Sequence, residues 1–308
     1  MPDPAAVSVR QLAPDDQPAI EAFLATRAET SMFLRGNLAA SGVFDGDTPH
    51  HGLWLGAERD GRIVAVVDHA WAGQAIIQAD PEFQPALMRL WQEHASRPLK
   101  LIIGPADQVV HMRALLGLSD APTRLDSREG LFSLPSMDDL QLPDPLARGD
   151  VSVRRAVPDD QPLLSAWYEQ YEHAIYNGDP GDGYVQRCID RVVRATAAGT
   201  QFVLHDRDGH LLAASTFNSL VGDCAQIGGV WTPPERRGRG HAKAVVAGSL
   251  RLASHDAGVA SSILFTGEHN APAIRAYQAI GYRLIGDYYL LGFVEPHEAR
   301  SLRIAAAS

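Results

Sequence analysis

Residues 230–242 of the chain read Val-Trp-Thr-Pro-Pro-Glu-Arg-Arg-Gly-Arg-Gly-His-Ala. An apolar, strand-like segment precedes this stretch, and residues typical of a helix, Lys243 to Ser254, follow it. Small residues where a strand turns into a helix leave backbone N–H groups pointing outward, with no side chain in the way. The dipole of the following helix adds to the attraction for an anion. The stretch therefore predicts an anion-binding loop, although an ordinary Arg/Gly surface turn has the same composition.

A second informative stretch, residues 266–282, reads Thr-Gly-Glu-His-Asn-Ala-Pro-Ala-Ile-Arg-Ala-Tyr-Gln-Ala-Ile-Gly-Tyr. Asn270 is a suitable N-cap, Pro272 fits a first helical turn, and Gly281 is a residue that commonly ends a helix. The stretch therefore predicts a short helix between Asn270 and Gly281.

The two stretches together resemble the Gcn5-related N-acetyltransferase (GNAT) superfamily, whose members bind acetyl-coenzyme A (acetyl-CoA). Arg237, Gly240 and Ala242 match the family's pyrophosphate loop, Arg-x-x-Gly-x-Ala. The string that begins at Asn270 matches its second signature, Asn-x-x-Ala-x-x-x-Tyr-x-x-x-Gly-Tyr. The resemblance is carried mainly by residues 201–293 and extends to a lesser degree over residues 151–200.

The resemblance implies a coenzyme site on the strand, the loop and the second helix. In the family the strand before the loop bulges, and Gly228 and Gly229 permit a bulge here. Backbone groups of Val230 and Thr232 are then expected to bind the pantetheine arm, and one N–H to hold the acetyl oxygen. The implied coenzyme-binding residues are Val230, Trp231, Thr232, Arg237, Gly238, Arg239, Gly240, His241, Ala242, Lys243 and Asn270.

The same resemblance implies an acetyl-CoA-dependent N-acetyltransferase that moves the acetyl group to a primary amine of a small molecule or peptide. The amine attacks the thioester directly, through a tetrahedral intermediate. The leaving thiolate, whose thiol has a pKa near 8.5, must then receive a proton, and a phenol of pKa about 10 is a reasonable donor. Tyr277 is accordingly the expected general acid, and a core aromatic residue is the structural alternative.

One position departs from the family pattern. Many amine-acetylating members carry a Glu eleven residues before the leading Arg of the loop, and counting back from Arg237 gives Gln226. An alkylammonium has a pKa near 10.4 and must lose its proton before it can attack the thioester. A glutamine side chain cannot accept that proton. Either the amine is already neutral, or a base acts through water. The candidates for that base are Glu169, Glu172, Asp223 and His173.

The chain also contains an internal repeat. Residues 7–18 and 151–162 are identical at nine of twelve positions, and both contain Val-Ser-Val-Arg and Pro-Asp-Asp-Gln-Pro. A second echo pairs residues 54–65 with residues 202–213, each an apolar run around an Asp-Gly hairpin turn. We therefore expect a mixed α/β protein with two tandem acyl-CoA N-acyltransferase (GNAT) folds. The expected boundaries are residues 1–141 for a degenerate domain, 142–150 for a linker and 151–308 for the catalytic domain.

In each half we expect a strand, helices, the hairpin, a strand, a helix, a strand and a final helix. The first half has lost both signatures. Asp80 and Glu82 lie where the second half carries the loop, and they would repel a pyrophosphate. Arg113 stands four residues before Gly117, as Tyr277 stands before Gly281. The first half is therefore expected to support the second half or to wall the acceptor site.

Residues 167–179, Trp-Tyr-Glu-Gln-Tyr-Glu-His-Ala-Ile-Tyr-Asn-Gly-Asp, stand where the family usually forms its acceptor pocket. Aromatic and acidic side chains together suit a cation with an apolar body. Helix packing beside a solvated face explains the same composition, so the acceptor class stays open here.

Composition excludes several functional classes. The net charge is −10, and the acidic excess falls in residues 1–150, with 12 Lys/Arg and 21 Asp/Glu, so nucleic acid is not expected as a partner. No apolar run of about 18 residues is present, so no membrane span is expected. The N-terminal Met1–Pro4 lacks the features of a signal peptide, and Cys188 and Cys224 do not have metal-ligand spacing. We expect a cytoplasmic monomer or homodimer that binds no metal.

Two other functions fit parts of the sequence. A sensor that binds an acyl-CoA without turning it over is compatible with the missing strand Glu. A tandem-fold transferase that uses aminoacyl-tRNA is less compatible, because such relatives generally lack a pyrophosphate loop and need basic surfaces.

Overall fold

The computed structural model of the chain describes residues 7–175 and 183–304. The first half contains β1 (Ser8–Gln11), α1 (Gln17–Ala25), α2 (Ala28–Ser41), β2 (Gly52–Arg59), β3 (Arg62–Ala70), β4 (Gln74–Gln78), α3 (Gln84–His94), β5 (Leu99–Pro105), α4 (Ala106–Leu115) and β6 (Thr123–Leu134). The expected mixed α/β class is confirmed by these alternating elements.

The second half has the same order after a short additional helix. Its elements are α5 (Asp144–Ala147), β7 (Val151–Arg155), α6 (Gln161–Ile175), α7 (Tyr184–Ala197), β8 (Gln201–Asp206), β9 (Leu211–Val221), β10 (Cys224–Trp231), α8 (His241–Ala257), β11 (Ser261–Gly267), α9 (Ala271–Gln278) and β12 (Arg283–His297). Each half ends on a strand, β6 or β12, and not on a helix as predicted.

The chain forms two compact units, the first of which comprises Met1–Glu129 and Asp287–Ser308. Strands β1 to β4 pair antiparallel in sequence order, and β4 pairs parallel with β5. Beside β5 lies the end of β12, antiparallel to it, with Tyr288 opposite Pro105. One hydrophobic core lies under α1 and α2, and another lies under α3 and α4.

The second unit comprises Gly130–Gly286. Here β7, β8, β9 and β10 pair antiparallel in sequence order, and β10 pairs parallel with β11. Helices α8 and α9 cover one hydrophobic core, and α6 and α7 cover the other. The parallel pair β10–β11 thus lies between two helical layers.

These units do not follow the predicted boundaries. The predicted linker, residues 142–150, contains α5, and its Leu146 is buried in the core of the second unit. The C-terminal residues 287–308, which we assigned to the second domain, belong to the first unit. The reason is hydrophobic burial, because Leu291 and Phe293 of β12 lie in the first unit's core.

The repeated sequence forms the same structure twice. Arg10 donates to both carboxylate oxygens of Asp16 at 2.7 Å, and Asp16 also accepts the backbone N–H of Ala13. In the second repeat Arg154 donates to both oxygens of Asp160, at 2.6 and 2.9 Å. Each pair ties the first strand to the start of the first helix, which explains why both copies contain the Arg and the Asp.

Two expectations from composition can be compared with the described residues. Cys188 and Cys224 are both buried, and no disulfide joins them. Among residues 7–175 and 183–304, no helix combines the length and apolar character that a membrane crossing needs. Met1–Pro4 lie outside the described residues.

Candidate coenzyme and acceptor site

Strand β10 is irregular where the sequence predicted a bulge. Its register with β9 shifts between Gln226 and Ile227 and again between Gly228 and Trp231. Gly229 has a φ of 55°, a left-handed conformation in which other residues are strained. The glycine is therefore needed for the bulge that turns the end of β10.

Strands β10 and β11 are paired only near their beginnings. Their parallel register runs from Cys224–Ser261 to Gln226–Ile263, although β10 continues to Trp231 and β11 to Gly267. The two strands therefore part after Gln226. A gap between parallel strands leaves backbone N–H and C=O groups available to a bound chain.

The loop after β10 has the predicted shape. Pro234–Arg236 form a single 3₁₀ turn, and Gly238 and Gly240 have φ values of 76° and 79°. Gly240 is the N-cap of α8, so the N–H groups of its first turn have no partner within the helix. A Cβ at Gly238 would meet open space, and a Cβ at Gly240 would lie 3.1 Å from the Lys243 Cε. The loop thus presents backbone donors and positive charge at one helix N-terminus.

Arg237 has a partner inside the loop. Its Nε donates to the Thr232 carbonyl oxygen at 3.0 Å, and its guanidinium carbon lies 4.8 Å from the centre of the Trp231 ring. Arg237 therefore braces the turn, and both Arg237 and Arg239 are exposed. Burial, followed by the nearby Arg239 and Arg236, lowers the pKa of His241 and thereby favours its neutral imidazole.

The second signature forms helix α9, which starts at its expected cap. Asn270 Oδ1 accepts the backbone N–H of Ala273 at 3.4 Å, and its Nδ2 lies 3.2 Å from Thr266 Oγ1. Gly281 has a φ of 108°, and a Cβ there would lie 2.4 Å from the Asp139 carbonyl oxygen. Only glycine fits that position, which explains this part of the signature.

Tyr277 lies on the buried face of α9. Its side chain is 7% exposed and belongs to the same core as Val245 of α8, and Val230 of β10 packs against that core. The Tyr277 ring centre lies 6.2 Å from that of Tyr282, whose hydroxyl is 2.6 Å from Ser262 Oγ. The structure thus brings the end of β10, α8 and α9 together around one core, as the two signatures require.

Gln226 is fully buried at the point where β10 and β11 part. Its two amide atoms have no hydrogen-bond partner within the described residues. Ser219 lies directly opposite on β9, and its buried hydroxyl also has no hydrogen-bond partner within the described residues. A buried polar group without a partner costs about 1–3 kcal/mol. This pair is therefore suited to a polar ligand group or a bound water.

Helix α6 forms the opposite wall of the site. Trp167, Tyr168 and Tyr171 enclose a small cavity against Gly229 and Trp231 of β10. The Tyr168 hydroxyl donates to Glu172 Oε1 at 2.7 Å. This wall lies within the expected acceptor segment, whose last residues, 176–179, fall outside the described residues.

The other three candidate bases lie in different surroundings. The Glu169 carbonyl accepts the Tyr184 hydroxyl, and the exposed His173 packs on the Tyr184 ring. Asp223 lies in the turn before β10, at the end opposite to the bulge, where its carbonyl accepts the N–H of Ala260. The Tyr168–Glu172 pair was not predicted, although their i,i+4 spacing on a helix could have indicated it.

In the first unit, the strands that correspond to β10 and β11 are β4 and β5, and side chains fill the gap beyond their paired residues. Strands β4 and β5 also pair over three residue pairs, from Gln74–Leu101 to Ile76–Ile103. Just beyond, the Ala79 N–H donates to Gln108 Oε1, and the Ala79 carbonyl accepts from Gln84 Nε2, both at 2.8 Å. Neither glutamine was singled out in the sequence.

Comparison with known proteins finds a family model that matches part of the chain and solved structures with a similar fold. Residues 163–282 match the model of the Acetyltransferase (GNAT) family. No protein among the curated sequences matches the chain. A GCN5-related N-acetyltransferase from Sphaerobacter thermophilus is 16% identical, with a TM-score of 0.58, over 96% of this chain and 98% of that chain.

Two further solved structures are similar over most of the chain. A protein from Drosophila malonogaster has a TM-score of 0.64 at 13% identity, over 92% of this chain and 98% of its own. A tandem GNAT protein from the clavulanic acid biosynthesis pathway has a TM-score of 0.52 at 15% identity, over 93% of this chain and 98% of its own. At such low identity these likenesses concern the fold alone, and they confirm the fold expected from the repeat.

Proposed function

From the match of residues 163–282 to the GNAT family model, we propose that the chain is an acetyl-CoA-dependent N-acetyltransferase with one coenzyme site, in the second unit. The acceptor we propose is a primary amine of a small molecule or peptide. The observation that carries the proposal is the left-handed Gly238–Gly240 loop at the start of α8, next to the gap between β10 and β11.

The residues present fit the coenzyme. In the proposal, the N–H groups of Gly238 to Lys243 hold the pyrophosphate, and Arg239 and Lys243 balance its charge. Backbone groups of Val230 and Thr232 bind the pantetheine arm in the gap, where β10 is left unpaired by β11. When bound, acetyl-CoA supplies a thioester whose acetyl carbon can be attacked by an amine.

We propose Tyr277 as the general acid that gives its phenolic proton to the leaving thiolate. Its burial on α9, next to the core that contains β10, supports this role because a water-poor site strengthens a proton-donating contact. Asn270 acts beside it by fixing the start of α9 through the Ala273 N–H.

A second candidate function is favoured by Gln226. A neutral carboxamide replaces the carboxylate at the base position, and a protein that binds an acyl-CoA as a sensor needs no base there. Such a sensor would bind acetyl-CoA but release no coenzyme A with any amine.

The coenzyme assignment is tested by thermal unfolding with acetyl-CoA. At a concentration of 100 Kd the native state gains about 2.7 kcal/mol, and the melting temperature should rise by several degrees. Arg239→Glu and Arg237→Glu should remove most of this rise. Arg89→Glu, on the exposed side of α3, is the charge-matched control and should keep it. An undiminished rise in both loop variants would refute the loop as the pyrophosphate site.

Turnover is tested separately with a panel of amines, amino acids, polyamines, aminoglycosides and peptides. Release of coenzyme A with any of them supports the enzyme. Tight acetyl-CoA binding with no turnover across the panel would instead favour the sensor.

A further inference from the structure

We propose that Glu172, acting through the hydroxyl of Tyr168, is the base that removes the proton from the acceptor amine. The inference rests on the proposed function, and it assigns the step that Gln226 cannot perform. It comes from the contacts of α6 with the bulge of β10.

Tyr168 and Glu172 lie one turn apart on α6 and form a hydroxyl–carboxylate pair. The Tyr168 Oη donates to Glu172 Oε1 at 2.7 Å, a length typical of a hydrogen bond to a charged acceptor. Both side chains are half-buried. The pair therefore has a fixed geometry and still has access to solvent, which a base needs for release of the proton.

The pair lies against the bulge and not elsewhere on α6. Tyr168 lines the cavity that Gly229 and Trp231 also line. A Cβ at Gly229 would lie 4.0 Å from Tyr168 Cε2, so the ring packs on the bulge backbone. In the proposed function the acetyl group lies beside this backbone, and Tyr168 is therefore on the acceptor side of it.

The charge distribution around the pair suits a relay. Burial, above all, raises the pKa of Tyr168, so the phenol keeps its proton at neutral pH and passes protons without ionising. The Arg191 guanidinium lies 5.2 Å from the Tyr168 ring centre and donates to Asn218 Oδ1 at 2.7 Å. Among the described residues, the titratable groups that interact with the pair include Arg191, Tyr184 and Cys188 of α7 and Tyr171 of α6.

The proton transfers balance. The acceptor ammonium gives a proton to Tyr168 Oη while the phenolic proton passes to Glu172 Oε1, which leaves a neutral amine and a protonated carboxyl group. The nitrogen lone pair then attacks the acetyl carbon; the C–N bond forms, the C–S bond breaks, and the thiolate takes a proton from Tyr277. The nitrogen loses its remaining surplus proton by the same relay after Glu172 has released the first to water, and Tyr277 is reprotonated from solvent.

The strand position offers no alternative within the described residues. The Gln226 side chain and the Ser219 hydroxyl are buried and neutral, and neither group can hold an extra proton at neutral pH. Their hydrogen-bonding groups, which have no partner within the described residues, can orient the acceptor or a water. Proton removal from the amine is assigned to Tyr168 and Glu172 of α6.

The test compares two acceptors that differ in basicity. The probes are the alkylamine that the wild-type chain turns over fastest and its β,β-difluorinated analogue, whose weakly basic amine is neutral in a large fraction of molecules at pH 7. Glu172→Gln and Tyr168→Phe should lower kcat/KM for the alkylamine by about 10²-fold at pH 7, with recovery as the pH approaches the pKa of that amine. The difluoro analogue should lose less than about tenfold.

Glu169→Gln, one turn earlier on α6, is the matched control and should keep the wild-type pH profile with both amines. The acetyl-CoA thermal shift of each variant reports on folding and coenzyme binding independently of the base. An unchanged alkylamine pH profile in Glu172→Gln, or equal losses with both amines, would overturn the relay. Wild-type protein that binds acetyl-CoA but acetylates no amine would contradict the proposed enzyme itself, and the relay with it.

Discussion

The two gaps between parallel strands, β4–β5 in the first unit and β10–β11 in the second, begin alike and end differently. Both pairs hold their register for three residue pairs. In the first unit, Gln84 and Gln108 then bind the backbone of Ala79, and both side chains are buried. In the second unit the corresponding strand bulges at Gly229 and runs into the glycine loop.

Under the proposed function, the difference explains why the first unit is not expected to bind the coenzyme. Asp80 and Glu82 replace the basic loop in the first unit, and Gln108 also donates to Asp80 Oδ1 at 3.2 Å. The backbone groups that a pantetheine arm would need are already satisfied by the chain itself. In the first unit these hydrogen bonds within the chain occupy the place that the proposed function gives to the ligand in the second unit.

The largest expected effect lies in the open site, at Tyr277. Tyr277→Phe should lower kcat by about 10²- to 10⁴-fold and leave the acetyl-CoA thermal shift in place, because a general acid acts on the leaving thiolate and not on coenzyme binding. Tyr282→Phe is the matched control. It removes a buried hydroxyl that lies 2.6 Å from Ser262 Oγ, and it should lower the melting temperature but not kcat. Unaltered turnover in Tyr277→Phe would make this tyrosine a packing residue.

Removing the glutamines that close the gap between β4 and β5 should destabilise the folded chain. Gln84→Ala and Gln108→Ala each leave a backbone group of Ala79 buried without its partner, and each should lower the free energy of unfolding by about 1–3 kcal/mol. Urea unfolding measures this loss. The double variant should still bind no acetyl-CoA through the first unit, since the basic loop is missing there. A second bound equivalent would show that the glutamines alone exclude the coenzyme.

A buried pair on β3 gives the first unit its own pH dependence. Asp68 is fully buried, and burial raises its pKa to about 7; burial lowers the pKa of the neighbouring His69 to about 4. In the second unit the corresponding positions of the strand pairing hold Ser215 and Thr216. The pKa of Asp68 is near 4 in the unfolded chain and about 7 in the folded chain. Between pH 4 and pH 7 folded Asp68 therefore holds a proton that the unfolded chain lacks, and its contribution to stability falls as pH rises. His69 acts in the opposite sense up to about pH 6.5.

Asp68→Asn should therefore become more stable relative to wild type as pH rises from about 4 to about 7, by about 1.4 kcal/mol per pH unit. The amide can still accept from Asn37 Nδ2, as Asp68 Oδ2 does at 2.9 Å. Urea unfolding of both proteins at several pH values measures the difference. A constant difference would mean that Asp68 is ionised in the folded chain.

The smallest effect is expected where the two units are most alike. Asp16→Asn and Asp160→Asn should each cost less than about 1 kcal/mol, because Arg10 and Arg154 are 43% and 38% exposed. Arg10 lowers the pKa of Asp16 to about 2, so this contribution is present above pH 4 and is lost as pH falls towards 2. Melting temperatures at pH 7 and pH 3 check it. Asp15→Asn and Asp159→Asn are exposed controls, and clearly unequal losses would show that the repeats no longer share this contact.

Local chemistry determined what could be predicted. The glycine loop, the Asn270 cap and the bulge at Gly229 follow from backbone preferences within a few residues, and the structure has each of them. The path of β12 and the packing of Leu146 depend on contacts between distant segments, which no local pattern encodes. For the same reason the Gln84–Gln108 closure was not foreseen, since its partners are 24 residues apart in sequence.

The central claim is one coenzyme site per chain, in the second unit. Isothermal titration calorimetry with acetyl-CoA tests it most directly. The account predicts one equivalent bound per chain in the wild type, none in Arg239→Glu, and one in Arg89→Glu. Two equivalents in the wild type, or one equivalent retained at unchanged affinity in Arg239→Glu, would contradict it.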